Sequence, residues 1–236
     1  MDHTQFKSRL AAGVGGPDLW NLRRETGLQT AKAFQSVGRH MASLTNVPGD
    51  DGDAVRAMGC LLQMAGELAF AASRMLSTSE HYAGSALVRQ IVEIEYLTWT
   101  FKEGHAGVTA WLHSTFEDRR KVFAPKQLRD NAKGRFLFKD YQDHCEQGGH
   151  PVPRGIFLLG GREVSAAQIM LVDLLMHCWR TWDQVRKWLA EVNSVKLIGL
   201  PEVRGEISQR LYEWGKRDPI YALMVELHPE PAAREG

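Results

Sequence analysis

Residues 54–76, AVRAMGCLLQMAGELAFAASRML, decide the fold. Their apolar side chains Val55, Met58, Leu61, Leu62, Ala65, Leu68, Ala69, Ala72, Met75 and Leu76 recur three and four residues apart. That spacing lays them on one face of an α-helix; a half-buried strand would need a period of two. A break at 77–80 precedes a second helix over about 81–101. Leu87, Ile91, Ile94, Thr98 and Phe101 form one stripe there, with Val88, Val92, Tyr96 and Trp99 beside it. So wide an apolar surface belongs to a helix enclosed by others.

Upstream, Pro17 suits a first helical turn, where its missing N–H costs nothing. The helix it opens is expected to reach about Leu44, with Gly27 and Gly38 interrupting its continuity. Residues 46–53 read as a loop in which Asp50 or Asp53 caps the next helix. Downstream, a turn at 104–107 leads to a helix over 108–123. Pro125 then starts a shorter helix to about Lys133, and a helical turn or two follows over 135–147. Residues 148–153 are a loop, and 156–159 are a short strand or a core-filling loop. Ser165 and Gln168 have the spacing of a capping box. Behind them Ile169, Val172, Leu175, Trp179, Trp182, Val185 and Leu189 mark a long helix, and a final helix spans about 202–215. The expected fold is all-α: a helical bundle with its core over about 54–193 and extra N- and C-terminal helices. Residues 1–16 read as a flexible arm, 17–228 as one helical domain and 229–236 as a tail.

Composition narrows the function classes. The chain has 236 residues, 44% of them hydrophobic, enough for a real core. A net charge of +1 gives no global attraction to nucleic acid or membrane, so either partner would need a local patch. No apolar run approaches the ~20 residues of a membrane-spanning helix. The first ten residues lack a signal-peptide apolar region. Cys60, Cys145 and Cys178 are too few and too far apart for a disulfide framework, which points to a reducing, cytoplasmic setting.

Three constellations carry possible chemistry. Residues 119–139 hold Arg119, Arg120, Lys121, Lys126, Arg129, Lys133, Arg135 and Lys139 against one acid, Asp130. On a continuous helix Lys126, Arg129 and Lys133 would share one ridge. Phe123, Phe136, Phe138 and Tyr141 interleave with them, the mixture of cations and stacking rings that suits single-stranded nucleic acid. A solvated basic face over core phenylalanines has the same pattern. Next, Asp140 and His144 stand four apart, and Gly148-Gly149 offers a turn that would fold His150 back towards His144. With the pair His177-Cys178 on the last long helix, these residues would suit zinc or iron. Histidines bonded to backbone carbonyls are the alternative, and Cys145 beside His144 is a possible nucleophile. Third, Arg89 and Glu93 stand four apart on the apolar inner helix. Desolvation there requires them to pair or to face a polar cavity, as a structural ion pair or a site. Trp179, Trp182 and Trp188 have the spacing of core residues.

The segments Gly84-Ser85-Ala86-Leu87-Val88-Arg89-Gln90-Ile91-Val92-Glu93 and Tyr96-Leu97-Thr98-Trp99, with Tyr141 to His150-Pro151, resemble uncharacterised bacterial all-helical proteins. Those are related in pattern to the HEPN superfamily, and the resemblance spans about residues 54–190. It implies a HEPN-like up-and-down core, and a nuclease or a component of a defence or toxin–antitoxin system. The superfamily's catalytic signature is an Arg followed by a His after four to six residues. Neither His144 nor His150 has such an Arg before it, and only Arg74 with His81 fits the spacing. The resemblance carries over Arg89, Glu93, Tyr141 and His150 as motif positions.

Three functions follow as expectations. The first is a nucleic-acid- or nucleotide-associated protein: Arg119, Arg120, Lys126, Arg129, Lys133 and Lys139 contact RNA or another phosphate-bearing ligand, and Arg89, Glu93, His144 and His150 line the site. The second is a metal-dependent iron or zinc enzyme with His144, His150 and Asp140 as ligands. The third is a non-catalytic subunit that docks on a second copy or a partner protein. No motif names a cofactor.

Overall fold

The computed structural model describes residues 3–44, 49–161, 164–192 and 200–227, and among these the chain is all-α with no strand. The α-helices are α1 (His3–Val14), α2 (Pro17–Ser43), α3 (Gly49–Ser77), α4 (His81–Lys102), α5 (Val108–Leu112), α6 (Phe116–Asp118), α7 (Pro125–Asn131), α8 (Phe138–His144), α9 (Val164–Glu191), α10 (Leu200–Arg217) and α11 (Pro219–Leu227). Two π-helical turns, Arg119–Phe123 and Cys145–Gly149, and a 3-10 stretch, Pro153–Gly161, fill the connection between α4 and α9.

Four long helices make the bundle. α2 runs along α3, α3 packs on α4, α4 on α9, and α9 closes back onto α2 and α3. Phe34, Met41, Met58, Leu61, Leu62, Ile91, Leu175 and Trp182 are buried between them. α10 covers α2 and α9, while α1 and α11 pack against each other. No single helix among the described residues is long and apolar enough to cross a membrane.

Several elements differ from the sequence expectation for identifiable reasons. α2 is unbroken because its glycines are contacts: a Cβ on Gly38 would lie 2.5 Å from the Gly59 carbonyl of α3. Residues 3–14 of the expected arm are helical, and their C-terminal end is tied down. The carbonyls of Gly13 and Val14 accept from buried Arg23. Gln168 does not serve a capping box: it accepts from Arg23 and donates to the Gly15 carbonyl. The 108–123 helix breaks after Leu112, and Thr115 caps α6 by a reciprocal bond with Asp118. Residues 156–159 belong to the 3-10 stretch, with Ile156, Phe157 and Leu159 exposed. Asp53 lies inside α3, paired with Arg56 and His113. Part of the expected loop (45–48), the loop before α10 and the 229–236 tail lie outside the described residues.

Candidate metal centre

The inner helix α4, the short helix α8 and the long helix α9 converge on two histidines. α8 carries Asp140 and His144 four apart, and α9 carries Asp173 and His177 four apart, so each helix presents a carboxylate and an imidazole on one face. The two Nε2 atoms face each other at 3.2 Å. Behind His177, Nδ1 lies 2.6 Å from Glu95 Oε2 of α4. Behind His144, Nδ1 faces Asp173 Oδ2 at 3.6 Å. The other Asp173 oxygen is 3.5 Å from His177 Nε2, and Asp140 Oδ1 is 3.8 Å from His144 Nε2. Ligand atoms of Asp140, His144 and His177 lie within 4.8 Å of one another.

Burial is graded across the cluster. The side chains of His144, His177 and Glu95 are at most 5% exposed, whereas Asp140 is 47% and Asp173 33% exposed. The imidazoles therefore form the floor and the two aspartates the solvent-facing edge. Burial disfavours a charged His177, but Asp173 and Glu95 outweigh it and raise its pKa to about 10. Burial likewise opposes the Asp173 carboxylate, yet His144 and His177 pull it down to about 2. Burial and the nearby Glu95 push the Cys178 thiol up to about 12, so the pair His177-Cys178 offers only its histidine. The three cysteines are free thiols.

The Nε2–Nε2 contact has a simple consequence. If both Nδ1 atoms carry their protons towards carboxylates, both Nε2 atoms are lone pairs pointing at each other. Something positive must lie between them. A proton on His177 serves in the metal-free protein. A metal ion with bonds of about 2.0–2.1 Å would subtend about 100° across this 3.2 Å edge, within the range of tetrahedral and octahedral centres. The carboxylates behind the Nδ1 atoms then act as the outer partners that fix imidazole tautomers at metal sites.

A second cluster adjoins the first, built from α4, α7 and α8. Arg89 Nη2 donates to the Tyr141 hydroxyl, which donates to Glu93, and Arg89 pairs with Glu93 at 2.9 Å. The Arg129 guanidinium lies 4.2 Å from the Tyr141 ring centre and that of Arg89 5.5 Å. Tyr96 stacks with Phe136 and Tyr141.

His150 stands outside both clusters. Gly148 and Gly149 press the π-turn onto α4, where a Cβ would lie 2.7 Å from Ala86 N and 2.4 Å from Arg89 Cδ. The turn thus carries His150 out to the surface instead of back to His144, and its N–H binds the Cys145 carbonyl. The partner of His144 is His177. The basic run is also dispersed. α7 ends at Asn131, Lys133 follows in a left-handed conformation, and Arg129 turns inward over Tyr141, so Lys126, Arg129 and Lys133 form no common ridge. Arg120 and Lys121 share Glu117, Lys139 pairs with Asp143, and Arg119 donates to the Ser114 carbonyl. Glu95 is legible in the sequence only as a further charge beside Arg89 and Glu93, and Tyr96 only as an apolar-face residue, but the sequence holds a signal for Asp173. Asp-x-x-x-His occurs at 140–144 and again at 173–177.

Comparison with protein-family models, curated proteins and solved structures gives no match.

Proposed function

We propose that the protein is a metal-dependent enzyme on a helical bundle, with one iron or zinc ion held by His144 Nε2, His177 Nε2 and the Asp140 carboxylate. The observation that carries this is the 3.2 Å approach of two buried Nε2 atoms, each imidazole having a carboxylate behind its Nδ1. Three carboxyl groups against two imidazoles make the cluster richer in acids than in bases, which favours a cation. Two histidines and one carboxylate leave one open position on a tetrahedral ion and three on an octahedral one. Asp140 and Asp173 are the exposed members of the cluster, so a substrate or water would reach the ion from their side. A bound ion would there acidify a water or polarise a substrate oxygen. Glu95 would hold His177 in the Nδ1–H tautomer, and Asp173 would do the same for His144.

The nucleic-acid reading has less support, since Arg120, Lys121 and Lys139 have acidic partners and Arg129 faces inward. Elemental analysis of protein purified without a metal-affinity tag tests the proposal. One equivalent of iron or zinc, lost in His144→Ala and His177→Ala, is the expected result. Protein that neither carries nor takes up either ion would refute it.

A further inference from the structure

Buried polar atoms normally find a partner, so orphans mark places where something else belongs. Among the described residues eight buried side-chain polar atoms have none. Three of them, Arg89 Nε, Tyr96 Oη and Arg129 Nη1, surround Tyr141, and each is able to donate. Tyr96 is 1% exposed, and burial together with the fields of Asp140 and Glu95 raises its pKa, so its hydroxyl keeps its proton. The Arg129 guanidinium carbon lies 4.2 Å from the Tyr141 ring centre and 5.5 Å from that of Phe138, cation–π contacts that engage no N–H and leave Nη1 for a ligand. Glu93 compensates Arg89, whereas no carboxylate among the described residues pairs with Arg129. Placement links this cluster to the histidine pair: Tyr96 follows Glu95 on α4, and Tyr141 follows Asp140 on α8.

We propose that Arg129, Arg89 and Tyr96 form an oxyanion subsite beside the histidine pair, which takes a phosphate or carboxylate group of the substrate. As a statement about substrate class it rests on the metal-enzyme reading; as a binding site it is testable without the metal. Planar guanidinium donors suit the oxygens of either anion, and a neutral phenol adds a hydrogen bond without adding charge.

The test is calorimetric titration of the full chain with inorganic phosphate and, separately, with acetate, on chelator-treated and metal-loaded protein. Binding should weaken about tenfold or more in Arg129→Met and about three- to tenfold in Tyr96→Phe. Lys32→Met, on exposed α2 surface, should leave it unchanged. Tighter phosphate binding assigns a phosphorylated substrate, and tighter acetate binding a carboxylate. Tyr96→Phe removes one oxygen, so it still answers if Arg129→Met fails to fold. No binding of either anion at tens of millimolar, or equal binding by wild type and both variants, overturns the subsite. A metal-occupied protein without anion binding keeps the metal centre and loses the subsite. Anion binding that depends on Arg129 in a protein that takes up no metal does the reverse.

Discussion

Two groups of buried ionisable residues sit in this bundle, and they are finished differently. Arg23 and Asp218 are fully enclosed, and the contacts around them close. Arg23 donates to Asp218, Gln168 and the carbonyls of Gly13 and Val14. Asp218 also accepts from the Trp214 indole and the N–H groups of Ile220 and Tyr221. This pair ties the α1–α2 junction, α9 and the α10–α11 junction together. The His144–His177 pair is also buried but does not close: its two Nε2 atoms meet at 3.2 Å, where only a proton or another cation can lie between them, and two of its three carboxylates, Asp140 and Asp173, reach solvent. Closure marks a group that holds the fold, whereas the open pair is where the proposed metal ion would sit.

Exchanging the two residues' fates should break this contrast most sharply. Arg23→Met strands the Asp218 charge in the interior, for which the expected loss is about 3–5 kcal/mol, read as a lowered urea midpoint. Surviving folded protein should still take up metal in full. A loss of unfolding free energy under about 1 kcal/mol would mean that Arg23 is not the tie described here. His177→Ala should do the opposite. Metal stoichiometry should fall from one to zero while helical circular dichroism stays that of wild type. A variant that keeps its metal removes His177 from the ligand set.

A subtler change separates ligand from support. Glu95→Gln keeps size and burial but weakens the acceptor behind His177 Nδ1. Changes at such outer partners typically cost about 10–100-fold in metal affinity, measurable by competition with a chromophoric chelator. Glutamine at 95 with unaltered affinity would show that Glu95 serves only the metal-free imidazolium.

The contrast also explains what the sequence revealed. Helices α3, α4 and α9 are legible because their apolar residues repeat at helical spacing over about four or more turns, and burial follows that period. Asp140 and His144 were legible as a pair, because i,i+4 spacing on one helix is local. His177 drew notice through its neighbour Cys178, which turns out to be a core thiol; the informative neighbour was Asp173, four residues back. His150 departs from the expected place beside His144 because Gly148-Gly149 do not reverse the chain there. Those glycines serve close packing on α4, a contact between segments about sixty residues apart that no local pattern records. Arg23 and Asp218, 195 residues apart, were invisible for the same reason. Helix period is written in the chain, whereas closure of a buried charge is written only in tertiary contacts.

The pH dependence is the finest probe of the open pair. In the metal-free protein His177 holds its proton up to a pKa of about 10, and a metal can bind Nε2 only by displacing it. Between pH 6 and 8 metal affinity should therefore rise about tenfold per pH unit, with about one proton released per ion bound. Titrations in buffers of different ionisation enthalpy count that proton directly. Stability of the metal-free protein should follow the same groups. The raised pKa of His177 gives a contribution that is complete below its unfolded value of 6.5 and lost as pH rises through about 10. The lowered pKa of Asp173 gives one present above 3.8 and lost as pH falls towards about 2. In His177→Gln the alkaline loss should disappear and the acid loss should shrink, because Asp173 no longer faces that imidazolium. An alkaline limb that persists unchanged in His177→Gln would place the proton elsewhere, and with it the charge that the metal is proposed to replace.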